Sequence, residues 1–181
     1  MAVTRVAYAV DGWGEGELWF EGPILVWHEL PHVRASASPH PGGATTRRPL
    51  EATLARKSAR VREDTAPIAG RIVHKVERYF GGEAVDFSDV TLALDDATPF
   101  QSAVASALRH VRYGDVVSYG ELAKAAGYPN AQRAAGTFCA HNRFPLILPC
   151  HRVVAATGLG SYGSLGIEYK RRLLELEGVA L

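Results

Sequence analysis

The amino-acid sequence predicts an α+β fold with a strand-rich N-terminal part and a mostly helical C-terminal part. Three observations carry this expectation. The first 28 residues hold short aromatic and β-branched runs cut by turn residues. From Thr98 onward, capping residues and glycines bracket apolar residues at three- and four-residue spacing. Of 181 residues, 47% are hydrophobic and 22% charged, the balance of a soluble chain with a usable core. Strands followed by helices indicate an α+β domain or two domains. Asp95-Asp96 marks the boundary, giving an N-terminal domain over 1–95 and a C-terminal domain over 96–181.

Residues 3–10 alternate up to Asp11-Gly12, and Glu15–Phe20 and Ile24–His28 flank Glu21-Gly22-Pro23. They read as a meander of short strands. From about Pro31 to Asp64 the pattern breaks, punctuated by Pro39, Pro41, Gly42 and Gly43. A basic loop over about 36–64 carries Arg47, Arg48, Arg56, Lys57, Arg60 and Arg62, with a short basic helix predicted over Leu50–Val61. It reads as a solvated surface segment or as one that brushes phosphates. Ile68, Ile72, Val73, Val76 and Phe80 predict a helix stopped by Gly81-Gly82, and a further strand falls within Val85–Leu94.

Thr98-Pro99-Phe100-Gln101 combines a hydroxyl cap, a first-turn proline and a glutamine three residues on. Phe100, Val104, Ala107, Leu108 and Val111 form that helix's buried stripe. Ser118-Tyr119-Gly120-Glu121 is a second capping box and opens a helix closed by Gly127. Asn130 is placed to cap a third helix, from Ala131 to about Ala140. Two short helices around such a turn suit a helix-turn-helix, and equally a structural hairpin. The third helix is nearly bare: Ala131, Ala134, Ala135, Gly136 and Thr137, with Arg133 projecting alone. That surface fits tight packing or close approach to a nucleic-acid groove. A last helix runs from about Glu168 to Glu177, before Gly178.

No apolar run approaches the roughly 20 residues that span a bilayer, and no signal-peptide core follows the start. A cytoplasmic protein is expected, nucleoid-associated if prokaryotic, with no membrane partner and a monomeric state. Residues 97–181 hold nine Lys and Arg against five acids, which leaves an excess of acid in residues 1–96. This asymmetry fits a nucleic-acid face on one half and equally fits ordinary surface charge.

Cys139 and Cys150 are the only cysteines, so no disulfide framework is expected. Pro149-Cys150-His151-Arg152-Val153 sets a thiol beside an imidazole, a pattern open to a nucleophile or to a buried small hydrophobe.

Taken together, several stretches resemble the O6-alkylguanine-DNA alkyltransferases, also called methylated-DNA–protein-cysteine methyltransferases. They are Thr98 to Gln101, Tyr113 to Ala123, Gln132 to Gly136, Asn142, Pro145, Leu146 to Val154, and Lys170 to Glu177. Order and spacing agree across residues 98–178. The resemblance implies a small N-terminal α/β domain with an RNase H-like sheet and a winged-helix-like, helix-turn-helix C-terminal domain. It implies double-stranded DNA containing O6-alkylguanine as partner, bound through the minor groove, with O4-alkylthymine a lesser substrate. Cys150 would accept the alkyl group irreversibly and once, after base flipping, with no cofactor or soluble methyl donor. His151 would take the thiol proton through a bridging water, Glu177 would orient His151, and Asn142 would hold the turn. Tyr119 would sit at the flipped nucleotide. Arg133 would fill the gap in the stack, with Ala134, Ala135 and Gly136 facing the groove. Tyr162, Gly163 and the main chain at Cys150 and Val153 would line the guanine pocket. No metal site is expected, because no cysteine precedes Cys139.

Two departures stand out. The family often has Asn-Pro where this chain has Asn142-Arg143, which frees Arg143 for a phosphate contact or loosens the turn. A Gly-Gly pair usually follows the pocket tyrosine, where this chain reads Tyr162-Gly163-Ser164-Leu165-Gly166. The alternative is a non-enzymatic alkyltransferase-like protein that binds damaged DNA and recruits repair factors. Such proteins replace the acceptor cysteine, commonly with tryptophan, so Cys150 argues against it. A Cys–His hydrolase lacks a recognisable oxyanion loop, and Cys139, His141, Cys150 and His151 fit no common zinc spacing.

Overall fold

The computed structural model describes residues 3–33 and 65–180, so the expected basic loop and its helix lie outside the described residues. Strands β1 (Val3–Val10), β2 (Gly14–Glu21) and β3 (Ile24–His32) form an antiparallel meander in that order. Leu18 and Phe20 of β2 are fully buried on the core face. Between them Trp19 points to the other face, beneath the Arg5 guanidinium at 4.9 Å. β3 runs four residues past its predicted end. The register shifts between Glu15 and Glu17 of β2, where a bulge lets pairing resume at His32.

Helix α1 (Ala66–Phe80) starts at a first-turn proline and buries Ala69, Ile72, Val76, Tyr79 and Phe80. Trp13, in the β1–β2 turn, packs on Phe80 at 4.7 Å and on Tyr169 at 5.4 Å. The strand expected within Val85–Leu94 is a correction: only a single bridge forms, Leu92 to Leu25. Asp86 accepts from the Ser88 amide at 2.8 Å and from its hydroxyl at 2.6 Å. This local side-chain turn diverts the backbone from a ladder.

Helix α2 (Pro99–Arg109) and helix α3 (Tyr119–Ala125) both begin with complete capping boxes, Thr98 with Gln101 and Ser118 with Glu121. Helix α4 (Gln132–Ala140) follows, but Asn130 does not cap it; Ala131 holds the cap position without a side-chain bond. Asn130 instead takes φ 71°, and the Ala131 amide bonds Tyr128 O at 3.2 Å. A turn with proline second and asparagine third uses asparagine's tolerance of positive φ. Helix α5 (Gly166–Leu176) ends at Gly178, φ 77°.

A two-residue parallel pair links the C-terminal elements: β4 (Val117–Ser118) beside β5 (Val153–Val154). β4 runs into the Ser118 cap of α3, and β5 leaves the 3₁₀ turn Cys150–Arg152. This pair therefore sets Tyr119 close to Cys150. The hydrophobic core is continuous from Tyr8 and Phe20 through Tyr79 to Leu108 and Leu173. It is a mixed α/β fold with five helices among the described residues.

Candidate active site

Cys150 sits on the 3₁₀ turn at the end of a strained loop. Leu146 within that loop adopts φ 70°, a costly backbone state for a non-glycine residue. Asn142 holds the loop closed: its Nδ2 donates to Leu148 O at 2.7 Å, and its Oδ1 accepts from the Phe144 amide at 3.0 Å. The same Nδ2 lies 3.0 Å from Cys150 Sγ. Burial raises the Cys150 thiol above its ordinary value, while the Asn142 amide and the Lys170 charge act against that rise. At rest Cys150 is a thiol whose ionised form already has a donor aimed at it.

His151 is fully buried, and its Nε2 lies 2.7 Å from Glu177 Oε1. An ionised carboxylate only accepts, so Nε2 carries the proton and Nδ1 presents its lone pair. Nδ1 has no hydrogen-bond partner among the described residues. Burial lowers His151, Glu177 pulls it back up, and Arg152 and Lys170 push it down again, with a net lowering. Burial works to raise Glu177, but His151 and Arg152 outweigh it and hold the carboxyl at about 2. Arg152 Nε reaches Oε2 at 2.9 Å and its Nη2 reaches Oε1 at 3.0 Å; the Gly114 amide adds 3.0 Å to Oε2. The cluster is a buried, fully hydrogen-bonded ion pair with an imidazole on one edge.

Tyr119, half-buried at the start of α3, faces Gly160. A Cβ there would come 3.3 Å from the Tyr119 hydroxyl, so glycine is what admits it. Burial, then the two cysteines, raise Tyr119, which keeps its hydroxyl a donor. A cleft of about 680 Å³ opens beside Cys150, with Asn142, Tyr162 and Gly163 in its wall and Trp27 and Leu30 of β3 opposite. Tyr162 is stacked on Tyr169, with its buried hydroxyl lacking a partner among the described residues. Val153 does not line the cleft; its side chain is fully buried and its carbonyl accepts from Lys170 Nζ at 2.6 Å.

On α4, Arg133 and Ala134 are exposed and Gly136 half-buried, 3.8 Å from the Tyr119 ring at its would-be Cβ. Ala135 is a correction: it is fully buried, so its side chain faces the core and not a groove. Arg143 is part-exposed and paired within the chain. Its Nη2 donates to Ala93 O at 2.9 Å and to Asp96 at 3.1 Å, which ties the residue after Asn142 to the 93–96 segment. Cys139 is partly buried, and burial followed by the Cys150 charge raises it far up, so it stays an inert thiol.

Three participants escaped the sequence reading. Tyr79 of α1 donates to Glu177 Oε1 at 2.5 Å. Arg152 is the counter-charge described above. His28 of β3 pins the Cys150 loop from the sheet side. Its Nδ1 donates to Pro145 O at 2.7 Å, its Nε2 accepts from the Tyr8 hydroxyl at 2.7 Å, and its amide bonds Arg143 O at 2.9 Å. Burial holds His28 at about 4, so it is neutral. Tyr79 does continue the Ile72–Val76 face of α1, the single local signal among them.

The profile described as 6-O-methylguanine DNA methyltransferase, DNA binding domain, matches residues 99–179. A methylated-DNA–protein-cysteine methyltransferase of Methanopyrus kandleri is 46% identical over 122 residues, 64% of this chain and 89% of that protein. The crystal structure of Mycobacterium tuberculosis O6-methylguanine methyltransferase superposes with a TM-score of 0.72 at 31% identity, covering 99% of this chain and 95% of the other. A crystal structure of Mycobacterium tuberculosis OGT in complex with DNA gives 0.66 at 32% identity, covering 98% and 92%. With the Cys150 turn, its asparagine latch and its histidine–glutamate pair already in place, these likenesses settle the assignment: the chain belongs to the methylated-DNA–protein-cysteine methyltransferase family.

Proposed function

We propose that this protein repairs DNA by moving an alkyl group from O6-alkylguanine, and less readily from O4-alkylthymine, onto Cys150. The observation that carries the reading is Cys150 Sγ under the Asn142 amide, next to a histidine whose Nε2 is locked on Glu177. That arrangement leaves Nδ1 as the base. The Cys150 proton passes to His151 Nδ1 through a water. The thiolate attacks the alkyl carbon, the S–C bond forms as the C–O6 bond breaks, and the electron pair remains on guanine. Tyr119 hydrogen-bonds the leaving guanine, which is finally neutralised by the proton taken from the thiol. Thiolate is the nucleophile soft enough for this carbon near neutral pH.

The alkyl oxygen lies inside the base stack, so the nucleotide must be extruded, at a few kcal/mol. Arg133, exposed on α4, would occupy the gap, and the exposed, small side chain of Ala134 suits close approach in a minor groove. On this reading the α2–α4 part is a winged-helix-like reader, the β1–β3 part RNase H-like, and the protein a cytoplasmic monomer. The thioether product is stable, so each molecule acts once. The relative complexed with DNA supports DNA as partner. Incubation with a duplex containing O6-methylguanine, followed by peptide mass mapping, should place one methyl group on Cys150 and saturate at one equivalent. Continued turnover, or methyl on another residue, defeats the reading.

A further inference from the structure

Tyr79 belongs to α1, in the half of the chain with no motif, yet its hydroxyl lies inside the histidine–glutamate pair. The side chain is 1% exposed. Its Oη donates to Glu177 Oε1 at 2.5 Å and stands 3.1 Å from His151 Nε2. The ring is fixed edge-on by Phe80 at 5.4 Å, Tyr113 at 5.9 Å and His151 at 6.2 Å. Burial, and then the Glu177 charge, raise the phenol well above its ordinary value, so it remains a donor throughout the neutral range.

Glu177 Oε1 is crowded. Tyr79, His151 and Arg152 all donate to it, whereas Oε2 receives Arg152 and the Gly114 amide. A carboxylate oxygen offers about two lone-pair sites. Tyr79 and His151 therefore share one oxygen. When His151 accepts a proton at Nδ1, its Nε2–H demands more of Oε1, and the Tyr79 hydroxyl contests that demand.

We propose that Tyr79 is a positioning residue for the alkyl transfer, whose hydroxyl competes with His151 for Glu177 Oε1 and so keeps the imidazole unprotonated and ready for the Cys150 proton. The inference rests on the reading that His151 is the base for Cys150. The other titratable and charged groups around His151 are Lys170 from α5, Glu177 at the C-terminal cap of α5, and Arg152 from its own turn; Tyr113 stands behind Tyr79, and Tyr162 lies near Tyr79 and Glu177. Of these, only Glu177 loses a hydrogen bond when the phenol is changed. It also follows that the N-terminal half contributes to the chemistry and not only to the scaffold.

The test is the pH profile of the single-turnover transfer rate in the full-length protein, with fold checked by circular dichroism. Tyr79→Phe keeps the ring and removes the contest. Its acid limb should move up by roughly one pH unit, the effect of one hydrogen bond to a charged group, with the rate restored above the limb. Site-specific 3-fluorotyrosine at 79, a stronger donor of nearly the same shape, should move the limb down, and it reads the effect even if the phenylalanine variant does not fold. A profile with no acid limb, limbs that stay in place, or an equal loss of rate at every pH overturns the proposal. Failure of the unaltered protein to methylate Cys150 would defeat the underlying reading instead.

Discussion

Glu177 accepts from Tyr79, His151, Arg152 and the Gly114 amide inside the core, while Arg133 on α4 stands in solvent with no side-chain hydrogen bond or ion pair among the described residues. The two regions differ in burial, and on the proposed reading in function. Around Glu177 the dipoles are fixed before any substrate arrives, which is how preorganised electrostatics lower a barrier. On α4 Ala135 is fixed in the core, while the exposed face that carries Arg133 and Ala134 has no such partners; on the proposed reading its contacts form when DNA binds. Substitutions in the buried cluster should thus cost stability and chemistry together. Substitutions on the exposed face of α4 should cost only engagement of DNA.

The largest effect tests whether the cluster serves one thiol. Cys150→Ser should abolish alkyl transfer while leaving DNA affinity unchanged, read by peptide mass and by gel mobility. Cys139→Ser should transfer at the normal rate, since burial keeps that thiol protonated. Transfer by Cys150→Ser would erase the distinction between the two cysteines.

Next in size is Glu177→Gln. It leaves Arg152 buried beside a neutral amide and takes the charge from the His151 contact, so stability should fall by about 3–5 kcal/mol. Denaturant unfolding measures it, and a loss under 1 kcal/mol would mean the cluster is not the keystone its geometry indicates.

The unequal legibility of these regions has a physical cause. Capping boxes at Thr98 and Ser118 are local, three residues wide, and both formed as the sequence indicated. The Cys150 motif was legible because its resemblance spans many short stretches. Tyr79 and His28 were not, because their partners lie 98 and 117 residues away and leave no local trace. The β4–β5 pair is two residues long, too short for any alternation to show. Asn130 misled for a different reason: the residue type suits both a cap and a left-handed turn, and the preceding Pro129 decided for the turn. On α4 the small residues look alike in sequence, so the buried Ala135 could not be told from the exposed Ala134.

Acid should separate the two buried histidines from the Glu177 carboxylate. Folded His28 titrates at about 4 against its ordinary 6.5. The folded value is depressed, so the unfolded chain binds the proton first as pH falls. This contribution is whole above 6.5 and is lost between 6.5 and 4, on the order of 3 kcal/mol. Glu177, at about 2 against 4.5, loses its share only between 4.5 and 2. Stability against pH should therefore decline first below 6.5, where His28 and His151, both lowered by burial, contribute, and the Glu177 decline follows. His28→Leu should lower stability at pH 7 and flatten that first decline; an unchanged slope would show that His28 is not what titrates.

The smallest effect on the fold, and the sharpest test of the contrast, is Arg133→Ala. An exposed side chain without internal partners should change stability by no more than about 0.5 kcal/mol. Reaction with duplex O6-methylguanine should nevertheless slow roughly tenfold, about 1.4 kcal/mol, as the vacated stack loses its filler. Reaction with the free base needs no extrusion and should proceed at the unaltered rate. Equal slowing of both substrates would place Arg133 in the chemistry and join the two regions. Slowing of the duplex alone, with unfolding unchanged, keeps them apart: the core supplies the reaction, and α4 supplies access to it.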